Sequence, residues 1–175
     1  MNLPPSLLVD SASLASAVQD SITTSPITLA REGAPERWLV SHIENAIKRL
    51  NLPAIIEKEV NYPRSKERLD MVLKFHEGEV WVEAKYFAAG ADANKKDTFK
   101  RQTHSLAEAV RDGVIKQALA IAIFDFYTEN RVKILLSEVI VGDIWAKPHV
   151  RLSLDRRSPI APSLPVWLVV TNAAT

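Results

Sequence analysis

Two stretches of regular alternation meet around a glycine near the middle of the chain, and they restrict the fold more than any other feature. Leu69, Met71, Leu73 and Phe75 alternate with Arg68, Asp70, Val72 and Lys74; beyond Glu77-Gly78, Val80, Val82, Ala84 and Tyr86 alternate with Trp81, Glu83 and Lys85. A period of two on both sides of a turn signal describes a β-hairpin with one apolar face. With Glu77 and Gly78 as the loop, His76 faces Glu79 at the solvent, Asp70 faces Lys85 and Val72 faces Glu83.

The flanking patterns place this hairpin in an α/β domain. Leu39, Val40, Ile43, Ala46, Ile47 and Leu50 recur at helical spacing, and Pro35 suits a first turn, so the sequence predicts a helix over 35–51. A strand is expected over 54–60 and a second helix over 95–112, with Phe99, Thr103, Leu106, Ala107 and Val110 inward and Gly113 as its stop. Residues 118–126 are apolar on both alternations, the mark of a strand covered on both faces, and a helix between two strands implies a parallel crossover. Strands are also expected near 131–136 and 166–171, joined by an irregular, proline-rich 142–165. Residues 6–23 read as an amphipathic helix without chemistry, ended by Thr23-Thr24-Ser25-Pro26. The expected architecture is a mixed central sheet flanked by helices in a single domain: an N-terminal helical extension (1–32), a core (33–126), and C-terminal strands and loops (127–175).

Composition removes several functional classes. There is no cysteine, hence no disulfide, thiolate metal site or cysteine nucleophile, which fits a cytoplasmic setting. The five glycines stand too far apart for a phosphate-cradling or dinucleotide loop, and the four histidines form no H-E-x-x-H. The longest apolar run, Ala118 to Phe124, falls far short of the roughly 20 residues that span a bilayer, and no signal peptide is expected. Net charge is only +1, so any nucleic-acid contact must be local. Basic residues cluster at Arg64, Lys66 and Arg68, at Lys95, Lys96, Lys100 and Arg101, and at Arg151, Arg156 and Arg157.

The hairpin also carries the candidate chemistry. Alternation puts Asp70, Glu83 and Lys85 on one face, with the two carboxylates on a diagonal of about 7–8 Å between Cα atoms. Such a pair can share a hard divalent cation such as Mg²⁺, and an ammonium beside it can hold a metal-polarised water. That is equipment for metal-assisted hydrolysis. Glu36 lies in line with Val40, Ile43 and Ile47 and so points coreward from the first turn of the first core helix. It offers a third carboxylate or, equally, a plain favourable charge at the helix N-terminus. Glu44, beside the same stripe, competes with it.

A helix bearing Glu36, a strand, Leu69-Asp70, a strand with Glu83-Ala84-Lys85, a helix and an apolar strand together resemble the PD-(D/E)XK nuclease superfamily, over residues 33–126. The resemblance implies a restriction-endonuclease-like αβββαβ core and an Mg²⁺- or Mn²⁺-dependent phosphodiesterase, an endonuclease acting on DNA. In it Asp70 and Glu83 bind the metal, the Ala84 carbonyl adds a ligand, Lys85 positions the attacking water and Glu36 is an auxiliary acid. It further implies a polar residue from the second core helix near the site, with Lys100, Arg101 and Gln102 as candidates. A two-fold homodimer would suit an enzyme that cuts both strands. Leu69 stands where the motif's name has proline. If DNA lies over the acidic patch, Arg64, Lys66, Arg68, Lys95, Lys96, Lys100, Arg101 and Gln102 flank it.

Blander readings compete. An Asp opposite a Lys is commonly a cross-strand ion pair worth about 0.2–1 kcal/mol, and basic surface residues commonly serve solubility. The alternatives are therefore a nucleic-acid-binding module that keeps the fold without cleaving, and a protein-assembly module in which these charges form a structural network.

Overall fold

The alternating hairpin becomes the middle of a six-stranded sheet in the computed structural model, which describes residues 7–23, 34–62, 67–88, 93–125, 127–153 and 166–175, the side chains of 151–153 excepted. The strands are β1 (Ile55–Asn61), β2 (Arg68–Phe75), β3 (Gly78–Phe87), β4 (Gln117–Phe124), β5 (His149–Ser153) and β6 (Val166–Ala174), in the order β1-β2-β3-β4-β6-β5. All neighbours are antiparallel except β3 and β4, the pair joined through a helix. The sheet is therefore mixed, as expected.

Four helices cover it among the described residues: α1 (Ser11–Thr23), α2 (Pro35–Arg49), α3 (Ala93–Arg111) and α4 (Glu129–Val139). Leu14 and Val18 of α1 and Leu39, Ile43 and Ile47 of α2 pack on Met71, Leu73, Val80, Val82, Ile121 and Leu168 from one side of the sheet. Phe99, Leu106 and Val110 of α3, with Val132, Leu135 and Leu136 of α4, pack on Val72, Trp81, Ala118, Ala120, Ala122 and Phe124 from the other. The order α2-β1-β2-β3-α3-β4 follows from these elements, and β4 is buried at every residue because both layers lie on it. No described helix is long and apolar enough to cross a membrane.

Two expectations are corrected. The hairpin loop is His76-Glu77, because Phe75 pairs with Gly78, Lys74 with Glu79 and Met71 with Val82. Gly78 is not in the loop; it opens β3 at φ +144°, where an added Cβ would overlap Lys116 Cγ. The glycine answers both a close approach from a distant residue and the positive φ at the exit of the turn. The pairing therefore differs by two residues from the expected one, and a shift of two preserves which face each side chain occupies. The second correction is the segment expected as a strand near 131–136, which is helix α4: Val132, Leu135, Leu136 and Val139 form its buried stripe at helical spacing, and the Thr128 side chain caps its start.

Helix α1 is part of the core. Val9, just before it, exchanges two hydrogen bonds with the Gln117 side chain of β4, at 3.0 and 2.7 Å. Asn172 of β6 donates to Ser11 Oγ at 2.9 Å, and Ser21 Oγ meets His42 Nδ1 of α2 at 2.7 Å. These buried polar groups are satisfied by one another, which fixes the register of α1 on the sheet.

Candidate active site

Glu83 and Lys85 lie beside Ala120 and Ala122 of β4, and both alanines belong to the layer under α3 and α4. Side chains on adjacent parallel strands share a face, so Glu83 and Lys85 enter that layer, with room left by two methyl groups. Both are buried, at 1% and 9% exposure.

Asp70 reaches them because the sheet opens at its position. The β2–β3 ladder ends at Met71 and Val82, and the β1–β2 ladder steps from Lys58–Met71 to Val60–Leu69, with Glu59 between them at φ 55°. A glutamate in left-handed backbone is a local strain at the level of Asp70. Across the opening, the Ala84 N–H donates to Asp70 Oδ2 at 2.8 Å, so a side-chain oxygen accepts where a strand carbonyl otherwise would. The expected facing of Asp70 and Lys85 is thus replaced by a link from Asp70 to Ala84 and Glu83.

The two carboxyl groups hydrogen-bond each other, and both titrate above their ordinary range. Burial is the main cause for each. For Asp70 the Ala84 N–H pulls the other way; for Glu83 the Asp70 charge adds to the upward push. Such a pair behaves as one unit that shares a proton. Tyr62, at the end of β1, donates its hydroxyl to Glu83 Oε1 at 2.6 Å. The strand expected over 54–60 stops short of Tyr62, and no sequence pattern singles this residue out. The available signal was that a tyrosine buried in a core requires a partner for its hydroxyl.

Glu36 joins the site through the lysine. Its Oε1 lies 3.4 Å from Lys85 Nζ and 3.3 Å from Lys95 Nζ of α3, and its charge is near enough to raise Asp70 further. Among the described residues no three acidic or histidine side chains converge as a metal cage, so the acids divide into a carboxyl pair and a lysine-bound Glu36. A cleft of about 530 Å³ has Glu36, Arg37, Lys58, Glu59 and Asp70 in its wall, giving the site access to solvent beside α2. Glu44 is occupied elsewhere, with Lys58 at 3.1 Å and Lys48 at 3.3 Å.

Of the three candidates on α3, Lys100 and Arg101 are exposed and Gln102 is buried. The Gln102 Oε1 atom has no hydrogen-bond partner among the described residues, an orphan acceptor in the helix that covers β3 and β4. Arg101 pairs with Glu67 at 3.6 Å and Arg68 with Glu59 at 3.8 Å, both on the surface. Lys96 lines a groove between α3 and α4 with Arg131 and Glu138. Arg64, Lys66, Arg156 and Arg157 lie outside the described residues.

The donors suit a hard divalent ion in one respect: a buried carboxyl and a half-buried one, each disfavouring the other's charge, are relieved by a cation. Asp70 and Glu83 would hold it. Compared with protein-family models, curated proteins and solved structures, the chain has no match.

Proposed function

We infer that the protein is a metal-dependent phosphodiesterase acting on DNA, built on a restriction-endonuclease-like core. One observation carries this reading: half-buried Asp70 and buried Glu83 form a carboxyl pair, and Lys85 follows Glu83 two residues along the same strand and face. The order α2-β1-β2-β3-α3-β4 supports it, since it is the order of elements in the nucleases the sequence resembles. An Mg²⁺ or Mn²⁺ ion at Asp70 and Glu83 would supply Lewis-acid polarisation of a phosphoryl oxygen.

The chain's own groups do the rest. Lys85 donates to the attacking water and orients it. Glu36, with Oε1 3.4 Å from Lys85 Nζ, restrains the ammonium and aims it. Lys95 of α3, 3.3 Å from Glu36, would neutralise a backbone phosphate beside the site, and Lys96 and Lys100, which line the groove between α3 and α4, would meet phosphates further along.

The test is incubation with plasmid, linear and single-stranded DNA with and without Mn²⁺. Cleavage that vanishes in Lys85→Ala and Asp70→Ala while both variants remain folded supports the assignment; cleavage unchanged in both overturns it. A second reading, a binding or assembly module without cleavage, is favoured by the Glu36 bridge between Lys85 and Lys95, which is what a structural ion network looks like. Salt-sensitive retention on DNA without cleavage, and without Mn²⁺ uptake, would establish the binding module.

A further inference from the structure

We propose that Tyr62 is a positioning residue that restricts Glu83 to one metal-binding oxygen and so makes the site select Mg²⁺ and Mn²⁺ over Ca²⁺. The inference rests on the metal-dependent reading above and names a regulator of its ion preference.

Tyr62 is held on three sides. Its backbone N–H donates to the Glu67 carbonyl at 2.9 Å, closing the β1–β2 connection. Its ring lies edge-on to Trp81, with centroids 5.9 Å apart at 90°, and the residue is 7% exposed. The hydroxyl then reaches Glu83 Oε1 at 2.6 Å, the length of a strong O–H to carboxylate hydrogen bond. A ring so fixed cannot follow Glu83 if the carboxylate turns, so the hydrogen bond sets the carboxylate's orientation.

The partner acid is restrained in the same manner. Asp70 Oδ2 is taken by the Ala84 N–H at 2.8 Å. Each carboxylate therefore has one oxygen committed to the protein, and a cation between them meets the other. Mg²⁺ demands six ligands at about 2.0–2.1 Å and accepts single carboxylate oxygens with waters, whereas Ca²⁺ takes six to eight oxygens at about 2.3–2.6 Å and gains from carboxylates that bind through both. One oxygen per acid favours the smaller ion.

Calorimetric titration with Mn²⁺ and with Ca²⁺, in the absence of DNA, tests this on the full chain. Wild type is expected to bind Mn²⁺ about tenfold or more tighter than Ca²⁺, and Tyr62→Phe to narrow that ratio about threefold or more, chiefly by admitting Ca²⁺. Phenylalanine keeps the ring against Trp81, and a merely structural role for the hydroxyl would weaken both ions alike. Glu83→Gln serves as the control for the site. If wild type shows no Mn²⁺ uptake that Glu83→Gln removes, the metal site falls and this inference with it. If uptake depends on Glu83 but the ratio is the same in Tyr62→Phe, the role of Tyr62 is overturned while the metal site stands. Should Tyr62→Phe not fold, the wild-type ratio decides, since equal affinity for the two ions contradicts the one-oxygen arrangement.

Discussion

A buried carboxyl such as Glu83, set beside the half-buried carboxyl of Asp70, is costly to the fold unless a proton or a cation lies between them. Glu83, which titrates above its ordinary 4.5, holds a proton that the unfolded chain would release. Stability is accordingly intact below that pH and is lost as pH rises through the folded-state value. Glu83→Gln keeps an acceptor for Tyr62 and supplies a donor for Asp70, so it is expected to raise the metal-free stability by about 1–2 kcal/mol at neutral pH while ending the proposed cleavage. Urea unfolding at several pH values measures this; a variant less stable than wild type at neutral pH contradicts the shared-proton account. His42 acts in the opposite sense. Burial, and next the charge of Arg49, hold its titration below 6.5, so the unfolded chain takes up the proton first and stability falls as pH drops through that value. A Tm series from pH 8 to pH 5 should show the decline, and His42→Gln should flatten it. Asp70, Glu83 and Lys85 could be picked out because a period of two puts them on one face. Tyr62 could not, because its link to Glu83 crosses a gap of 21 residues that no local pattern encodes.

At the level of elements, the hairpin and β4 were legible and the register and α4 were not. Alternation is a local property, so it survives any error in the loop. The register depends on where Gly78 sits, and Gly78 is fixed by Lys116, which lies on the far side of α3. Gly78→Ala is expected to lower stability by about 1–3 kcal/mol, through both the overlap and the positive φ, and adding Lys116→Ala should recover only the overlap part. Equal stabilities of the single and double variants would show that the overlap is harmless. In α4, the short run Arg131-Val132-Lys133-Ile134 imitates a half-buried strand, and the helical stripe emerges only when Leu135, Leu136 and Val139 are counted with Val132. Contact with α3 then decides the matter. Thr103 Oγ1 donates to the Val139 carbonyl at 2.6 Å and accepts from the Val141 N–H at 3.3 Å, tying the end of α4 to α3. Thr103→Val leaves both backbone groups without that partner and is expected to cost about 1–3 kcal/mol, read from urea denaturation.

For the whole molecule, a net charge of +1 gives no broad attraction to a polyanion, so the DNA binding proposed above would rest on a few local phosphate contacts. Replacing Lys95, Lys96 and Lys100 together by alanine is expected to weaken DNA retention about uniformly across sequences and to reduce the slope of log K against log salt by roughly two to three. Filter binding between 50 and 200 mM salt checks it, and an unchanged slope would move the DNA path elsewhere. The helix α1 has a consequence for how the molecule comes into being. Its seats are Gln117 in β4 and the C-terminal strand β6, through Val9 and through Ser11 with Asn172. During synthesis α1 leaves the ribosome long before residues 166–174 exist, and until then its Leu14, Val18 and Ile22 have no sheet to lie on. The nascent chain therefore holds α1 against α2 alone for most of its translation, and the apolar face the two helices share is covered in full only when β6 is made.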